Sequence, residues 1–186
     1  MRRVVIGIAL VLALAGIFMV ARTAFVHNNA GRASARMGLE RYQHPQPGPK
    51  LTFLDETGAR RDLSEWRGQA IVLNLWGTWC PPCRREMPSL DRLQAYFAHK
   101  PIRVITVHLD RPGSTAPAAW LRKKELTHLP AFHGDSRALL GAVHSNVAPT
   151  TLILNAKGEE LARVRGGADW DDERLRTLLL WASRQK

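Results

Sequence analysis

The chain contains two cysteines, and both lie in the segment Trp79-Cys80-Pro81-Pro82-Cys83. Two thiols at this spacing can close a structural disulfide, bind a soft metal ion or exchange electrons with another disulfide. A structural role is weak, because closing so small a ring stabilises a fold by only about 2 kcal/mol, against about 4.7 kcal/mol for a 100-residue loop. A zinc site would need a second ligand pair, and no histidine lies at metal-ligand spacing beside the cysteines. The spacing favours a redox-active dithiol, with a Cu(I) site as the alternative.

The elements expected around the cysteines suit a redox pair. The apolar run 70–76 predicts a buried strand, and a helix is expected over 81–99. Cys80 should then lie at the helix N-terminus, where free backbone N–H groups and the helix dipole stabilise a thiolate. Cys83 should lie one turn inside and be shielded. We therefore expect Cys80 to attack a partner disulfide and Cys83 to resolve the mixed disulfide.

The two residues between the cysteines are both prolines. Pro81 and Pro82 stiffen the ring, and neither has a backbone N–H to donate to a thiolate. Because the stability of the thiolate contributes to the reduction potential, this composition influences the direction of electron flow. The sequence alone does not fix that direction, since a shift of about 30 mV corresponds to only about 1.4 kcal/mol.

Beyond the cysteine segment, apolar runs of strand length alternate with stretches of helical periodicity. Strands that alternate with helices and end in a hairpin predict an α/β fold, with a mixed central sheet flanked by helices. The expected strands span 51–54, 60–63, 70–76, 102–109, 131–133, 151–154 and 160–165, and the expected helices span 81–99, 117–125, 137–144 and 170–184.

The N-terminal residues predict export. Two arginines precede the apolar run 4–21, whose 18 residues would span roughly 27 Å as a helix, close to a bilayer core of about 30 Å. Basic residues before such a run favour an N-terminus left in the cytoplasm and an exported domain behind it. We expect a retained signal anchor over 1–23, a polar, proline-rich linker over 24–50 and a globular domain over 51–186. A signal peptide cleaved after the small-x-small residues 13–15 and a buried helix are the alternatives.

The overall composition is that of one ordinary globular domain. The 186 residues are 45% apolar and 23% charged, and two cysteines exclude a disulfide-rich scaffold. The net charge of +11 favours anionic partners in general. No Lys/Arg run exceeds three residues, however, and no aromatic–basic RNA motif is visible, so we interpret the charge as a solvated surface. We expect a monomer with no metal and no nucleic-acid partner.

The cysteine segment also carries a family resemblance. The run from Asn74 to Pro88, Asn-Leu-Trp-Gly-Thr-Trp-Cys-Pro-Pro-Cys-Arg-Arg-Glu-Met-Pro, resembles the active-site segment of the TlpA/ResA/DsbE group of membrane-anchored thioredoxin-like proteins. The similarity extends over about 51–183. It includes the turn Leu63-Ser64-Glu65-Trp66-Arg67-Gly68, the segment Val147-Ala148-Pro149-Thr150-Thr151 and the pair Gly166-Gly167. It implies a thioredoxin fold with an added N-terminal hairpin and a central insertion near 111–134.

The resemblance assigns roles to individual residues. Cys80 matches the attacking cysteine, Cys83 the resolving cysteine and Pro149 the cis-proline that faces the dithiol. A cis bond there would leave the backbone of Ala148 free to pair with a bound partner strand. Asn74 stands where thioredoxin itself has a buried acid, so another group must handle protons.

A glutamate and two tryptophans complete the candidate site. Glu86 lies three residues past Cys83 on the same helix face, and it matches the family's active-site glutamate, which would couple proton transfer to the dithiol. The alternative is an exposed first-turn acid that compensates the helix dipole. Trp76 and Trp79 are expected to form a substrate-facing platform that shields the dithiol. His108, which ends an expected strand near the same edge, is interpreted as structural.

The resemblance also implies partners and a compartment. It implies thiol–disulfide exchange, often the reduction of apocytochrome c or of another exported protein's disulfide, with no cofactor beyond the redox-active Cys80–Cys83 disulfide. The reducing equivalents would come from a membrane thiol-transport protein. The catalytic domain would lie on the periplasmic or extracytoplasmic side of the inner membrane, on a single span. An exported oxidase or isomerase and a Cu(I)-binding module are the alternative functions.

Overall fold

The apolar run before the cysteines forms a central strand of an eight-stranded sheet. All residues of this strand, Ala70–Trp76, are buried. The computed structural model describes residues 38–185, and in it this strand pairs in parallel with Ile102–Asp110 and antiparallel with Thr150–Leu154. A strand held on both edges and covered on both faces gives a rigid base for the cysteine segment that follows it directly.

The described residues form eight strands, four α-helices and one 3₁₀ turn. In chain order these elements are β1 (Leu39–Gln46), β2 (Thr52–Leu54), β3 (Arg60–Asp62), the 3₁₀ turn (Leu63–Trp66), β4 (Ala70–Trp76), α1 (Pro81–Tyr96), β5 (Ile102–Asp110), α2 (Pro117–Lys123), β6 (Phe132–Asp135), α3 (Ser136–Ala142), β7 (Thr150–Leu154), β8 (Glu160–Arg165) and α4 (Glu173–Ala182). The strands form one mixed sheet with the order β1-β8-β7-β4-β5-β6-β2-β3. The 3₁₀ turn follows the β2–β3 hairpin, and α2 lies in the insertion between β5 and β6.

Alternate side chains of β4 enter two separate hydrophobic clusters. Val72 and Trp76 pack in the cluster that contains the buried residues of α1 and α4. Leu73 and Leu75 pack in the other cluster, with the buried residues of α3 and of the β2–β3 hairpin. The sheet is therefore covered on both faces, which confirms the predicted α/β fold with a mixed central sheet. Both cysteines belong to the first cluster.

The first strand corrects the expected domain boundary. Leu39–Gln46 pairs antiparallel with β8, and the Tyr42 hydroxyl donates a hydrogen bond of 3.3 Å to Glu160. The expected linker over 24–50 is therefore wrong for these residues. An edge strand with mostly exposed, polar side chains carries little hydrophobic periodicity, which is why its composition is also typical of a linker.

The other element boundaries shift by a few residues, and the cysteine helix ends at Tyr96 rather than at 99. None of the helices within residues 38–185 combines the length and the apolar character needed to cross a membrane. The signal anchor expected over 1–23 lies outside the described residues.

Candidate active site

Cys80 and Cys83 form a disulfide at the start of α1, with the sulfur atoms 2.11 Å apart. Cys80 is the N-cap residue of the helix, and the backbone N–H of Cys83 donates to Cys80 Sγ at 3.3 Å. Cys80 retains 3% exposure and Cys83 retains none. The expected positions, one cysteine at the helix start and the other shielded, are confirmed. The assignment of Cys80 as nucleophile stays a prediction.

Few backbone N–H groups can donate a hydrogen bond to Cys80 Sγ. The first backbone N–H groups of a helix are free to bind an anion, but here the first two helical residues are Pro81 and Pro82. The N–H of Arg84 is bound to the Cys80 carbonyl oxygen at 3.1 Å. Within residues 38–185, the Cys83 N–H is thus the one backbone donor to Cys80 Sγ.

The peptide bond between Ala148 and Pro149 is cis, as the resemblance implied. The Ala148 carbonyl oxygen lies 3.5 Å from Cys80 Sγ, so this loop faces the dithiol. Val147 beside it is 41% exposed, an apolar surface that sequence reasoning did not single out. Pairing of a partner strand with Ala148 stays a prediction.

Glu86 is buried, with 3% exposure, so the alternative of an exposed first-turn acid is wrong. Its carboxylate accepts hydrogen bonds from Asn74 Nδ2 at 2.8 Å, from the Ala168 N–H at 2.9 Å and from Trp170 Nε1 at 3.2 Å. Burial raises the pKa of Glu86 above its ordinary value, although the three donors act in the opposite direction. The site therefore contains a buried carboxyl group one helical turn from Cys83, with a raised pKa.

Asn74 ties this carboxyl group to the sheet. Its Nδ2 also donates to Thr151 Oγ1 at 2.8 Å. Its Oδ1 is buried and has no hydrogen-bond partner among the described residues. Sequence analysis marked Asn74 as the replacement of an acid, but not as a direct partner of Glu86. Trp170 was missed altogether, because the only nearby signal was the Gly166-Gly167 pair.

The two tryptophans have different positions. Trp76 is fully buried and packs against Trp120 with ring centroids 5.1 Å apart, so its predicted contact with substrate is wrong, although it shares a hydrophobic cluster with both cysteines. Trp79 is partly buried, and its Nε1 donates to the Leu109 carbonyl oxygen at 3.1 Å. A Cβ at Gly77 would collide with the Trp79 indole, so glycine lets that ring lie against the active-site loop. Substrate contact by Trp79 stays a prediction.

A histidine network holds the loop between β4 and α1. The Thr78 N–H donates to His108 Nε2 at 3.1 Å, which leaves Nδ1 as the protonated nitrogen, 3.0 Å from Asp110 Oδ1. The second oxygen of Asp110 lies 2.8 Å from His133 Nδ1. Burial lowers the pKa of His108, although Asp110 acts in the opposite direction. These contacts agree with the structural interpretation of His108.

Within residues 38–185, no three or more His, Cys, Asp or Glu side chains are grouped so that they could hold a metal ion. The Cu(I) alternative therefore rests on the two cysteine sulfurs alone.

Known proteins resemble this chain in sequence. A model of the AhpC/TSA family matches residues 45–159. The chain is similar to the thiol-disulfide oxidoreductase ResA of Bacillus subtilis (strain 168), at 28% identity over 129 residues that cover 69% of this chain and 71% of ResA. It is also similar to the thioredoxin-like protein YneN of the same strain, at 30% identity over 118 residues that cover 62% of this chain and 68% of YneN.

Solved structures extend the comparison to the fold. A secreted thiol-disulfide isomerase from Corynebacterium glutamicum superposes with a TM-score of 0.67 at 21% identity, covering 79% of this chain and 93% of that chain. At this level of identity the likeness concerns the fold alone. Together with the family match, it confirms the predicted thioredoxin fold.

Proposed function

The chain belongs to the AhpC/TSA family, and from that premise we propose that it is a membrane-tethered reductase of disulfides in exported proteins. It is a thiol–disulfide oxidoreductase, the class to which its relative ResA belongs. The proposal that this protein reduces its partners rests on the hydrogen bonds to Cys80 Sγ. Among the described residues, only one backbone N–H, that of Cys83 at 3.3 Å, donates to this sulfur.

This observation bears on direction through the stability of the reduced form. A dithiol pair oxidises its partners strongly when the protein stabilises the thiolate, and it reduces them when the thiolate is poorly stabilised. Pro81 and Pro82 remove two donors from the helix start. A nearby carboxylate at Glu86 opposes a second negative charge. Both features favour the disulfide form of this protein and hence the transfer of electrons to a partner.

The exchange itself moves two electrons. The Cys80 thiolate attacks one sulfur of the partner's disulfide, whose S–S bond breaks as a mixed disulfide with Cys80 forms and a partner thiolate leaves. Cys83 then loses its proton and attacks Cys80 Sγ, which closes the Cys80–Cys83 disulfide and releases the second partner thiolate. The enzyme must afterwards be reduced again. A membrane thiol-transport protein is the electron donor that the family resemblance implies.

Glu86 is the group best placed to take the proton of Cys83. The two residues are one turn apart on α1, and both are buried. The raised pKa of Glu86 makes it a stronger base than an ordinary carboxylate. Asn74 takes the place of a buried acid without being able to accept a proton at neutral pH, so Glu86 is the base of this site.

The roles of the two cysteines can be tested by trapping. Cys83→Ser should accumulate mixed disulfides between Cys80 and partner proteins, because the resolving thiol is missing. Cys80→Ser, the matched control, should accumulate few. Non-reducing electrophoresis of affinity-purified protein measures both, and the reverse pattern would overturn the assignment.

The direction is tested by the reduction potential. We expect a value nearer to that of thioredoxin, about −270 mV, than to that of DsbA, about −120 mV. The reduced protein should also reduce a synthetic peptide closed by a disulfide within Cys-x-x-Cys-His, the attachment sequence of c-type haem. A potential near −120 mV with oxidation of the reduced peptide would identify an oxidase or isomerase. Retention of Cu(I) against a chelator, without exchange, would identify a metal-binding module.

The membrane tether rests on the sequence of residues 1–23. The apolar run 4–21 behind two arginines supports a retained anchor with the domain outside the cytoplasm. Mass spectrometry of the native N-terminus tests this. A chain that starts at Gly16 and is released from membranes by an alkaline wash would show a cleaved signal peptide.

A further inference from the structure

An open groove of about 340 Å³ lies beside the cysteine helix and is not used by the exchange chemistry described above. One side belongs to the first two turns of α1, and the other to α2 and the residues after it, within the insertion between β5 and β6. We call it the insertion groove. Its lining residues are Pro81, Arg84, Arg85, Pro88, Trp120, Lys124 and Leu126.

All charged residues that line the insertion groove are cationic. Arg84 and Arg85 on α1 and Lys124 after α2 are exposed, and no acidic residue belongs to the lining. Across residues 38–185, these three side chains form no ion pair. Exposed, unpaired cations around one groove create a local positive potential that attracts anionic ligands.

The remaining lining residues are apolar. Trp120 is partly buried, and its ring packs against Trp76 in the core beneath. Leu126 is likewise partly buried and packed on the same cluster. Pro81 and Pro88 are exposed. A ligand that complements this surface must therefore combine negative charge with an apolar side chain, as a short acidic peptide segment with a leucine or aromatic residue does.

The position of the groove points to the protein substrate itself. Pro81 directly follows Cys80, so a polypeptide joined to Cys80 through a mixed disulfide starts at the edge of the groove. An extended chain advances by about 3.3–3.6 Å per residue, so the residues flanking the partner's cysteine can reach the groove. Resting on the proposed function, we propose that the insertion groove binds an acidic, partly apolar segment that flanks the reactive cysteine of the substrate protein.

The sharpest test uses two neighbouring lysines. Lys124→Glu reverses a charge in the groove, whereas Lys123→Glu reverses the adjacent exposed charge outside the lining and serves as the matched control. The probes are two synthetic peptides, each closed by one disulfide, with aspartate and leucine flanking the cysteines in one and lysine and leucine in the other. The neutral compound 2-hydroxyethyl disulfide reports exchange without a peptide. The full chain, reduced beforehand, is assayed with each probe at low and high salt.

We expect Lys124→Glu to lower kcat/KM for the aspartate peptide about fivefold at low salt and to raise it for the lysine peptide. Lys123→Glu should change both values less than twofold, 2-hydroxyethyl disulfide should react equally with all variants, and high salt should reduce the differences. Equal effects of the two substitutions, or a parallel loss with 2-hydroxyethyl disulfide, would overturn the groove proposal. Failure of the unmodified protein to exchange with any of the three probes would instead contradict the proposed function.

Discussion

Two buried titratable side chains, Glu86 and His108, lie near the active-site segment, and their hydrogen-bond partners differ in kind. Glu86 receives a hydrogen bond from a side-chain amide, that of Asn74, in addition to two donors near the start of α4. His108 is held between a backbone N–H, that of Thr78, and the carboxylate of Asp110. Burial favours the neutral form of both groups, raising the pKa of Glu86 and lowering the pKa of His108.

The difference lies in what these partners can do when a proton arrives. A side-chain amide has both donors and an acceptor, so by turning over, Asn74 can donate to the Glu86 carboxylate or accept from the carboxylic acid. Its Oδ1 is buried and has no partner among residues 38–185, so it is available for the second arrangement. The backbone N–H of Thr78 can only donate and the carboxylate of Asp110 can only accept, so these two partners favour one neutral tautomer of His108, with Thr78 Oγ1 a further neighbour at 3.2 Å from Nε2. Glu86 and its partners can therefore take part in proton transfer, whereas His108 and its partners hold the loop between β4 and α1 in place.

The largest change in exchange rate should come from Glu86→Gln, which keeps the shape of the side chain and removes its charge and basicity. We expect thiol–disulfide exchange near neutral pH to slow by about tenfold to a hundredfold, within the usual range of general-base assistance. The apparent pKa of the dithiol should fall, because a neighbouring negative charge is lost. The pH dependence of cysteine alkylation and of the exchange rate measures both. Curves that superimpose on the wild type would contradict a role for Glu86 in proton transfer.

The same substitution has a consequence for stability. Because the pKa of Glu86 is raised in the folded protein, the folded state binds more protons than the unfolded state between the ordinary and the raised pKa. The free energy of unfolding should therefore fall as pH rises through that interval. Glu86→Gln has no carboxyl group to titrate, so its free energy of unfolding should not show this fall. The variant should therefore gain stability relative to the wild type as pH rises. Urea denaturation at a series of pH values checks this expectation.

A smaller effect is expected from Asn74→Ala, which removes the amide partner but leaves the carboxyl group. Losing a donor to a buried carboxylate should raise the pKa of Glu86 further, because the Asn74 amide stabilises the charged form. The midpoint of the exchange-rate profile should move to higher pH, and the exchange rate near neutral pH should fall by less than in Glu86→Gln, about threefold to tenfold. Thr151→Val is the matched control, because it removes the other acceptor of the Asn74 amide and keeps the Asn74 side chain beside Glu86. Equal shifts in both variants would show a general packing effect instead.

Sequence reasoning identified the parts of the site that depend on local order. The cysteine segment, the strand before it and the helix after it are contiguous, so Cys80 and Cys83 could be placed from hydrophobic runs and spacing. Pro149 is distant in sequence, and only the family resemblance connected it to the dithiol. The cis bond and the contact between Ala148 and Cys80 Sγ agree with that connection.

The parts that could not be predicted depend on what packs from elsewhere. An acid near the start of a helix is equally compatible with solvent and with burial, and Glu86 is buried because Ala168 and Trp170 approach from more than 80 residues away. The side of the sheet on which Trp76 lies could not be deduced, because a strand buried on both faces shows no alternation of polarity. The strand Leu39–Gln46 was missed for the opposite reason, since its polar edge has too few buried side chains to show a pattern.

The smallest change in exchange rate should come from His108→Leu. The Thr78 N–H then loses its buried acceptor, so we expect a loss of about 1–3 kcal/mol in the free energy of unfolding. The exchange rate of the folded variant at neutral pH should change less than about threefold, because His108 holds the loop without transferring a proton. His108→Gln, which keeps an acceptor, should recover part of the stability.

The pH dependence separates this side from Glu86. The pKa of His108 is lowered by burial, so on acidification the unfolded chain takes up a proton in a range where the folded protein does not. The free energy of unfolding of the wild type should therefore fall as pH drops through the ordinary titration range of histidine. In His108→Leu this fall in the free energy of unfolding with decreasing pH should be absent, whereas in Glu86→Gln it should remain. If His108→Leu instead slowed exchange as strongly as Glu86→Gln, both Glu86 and His108 would have to take part in proton transfer.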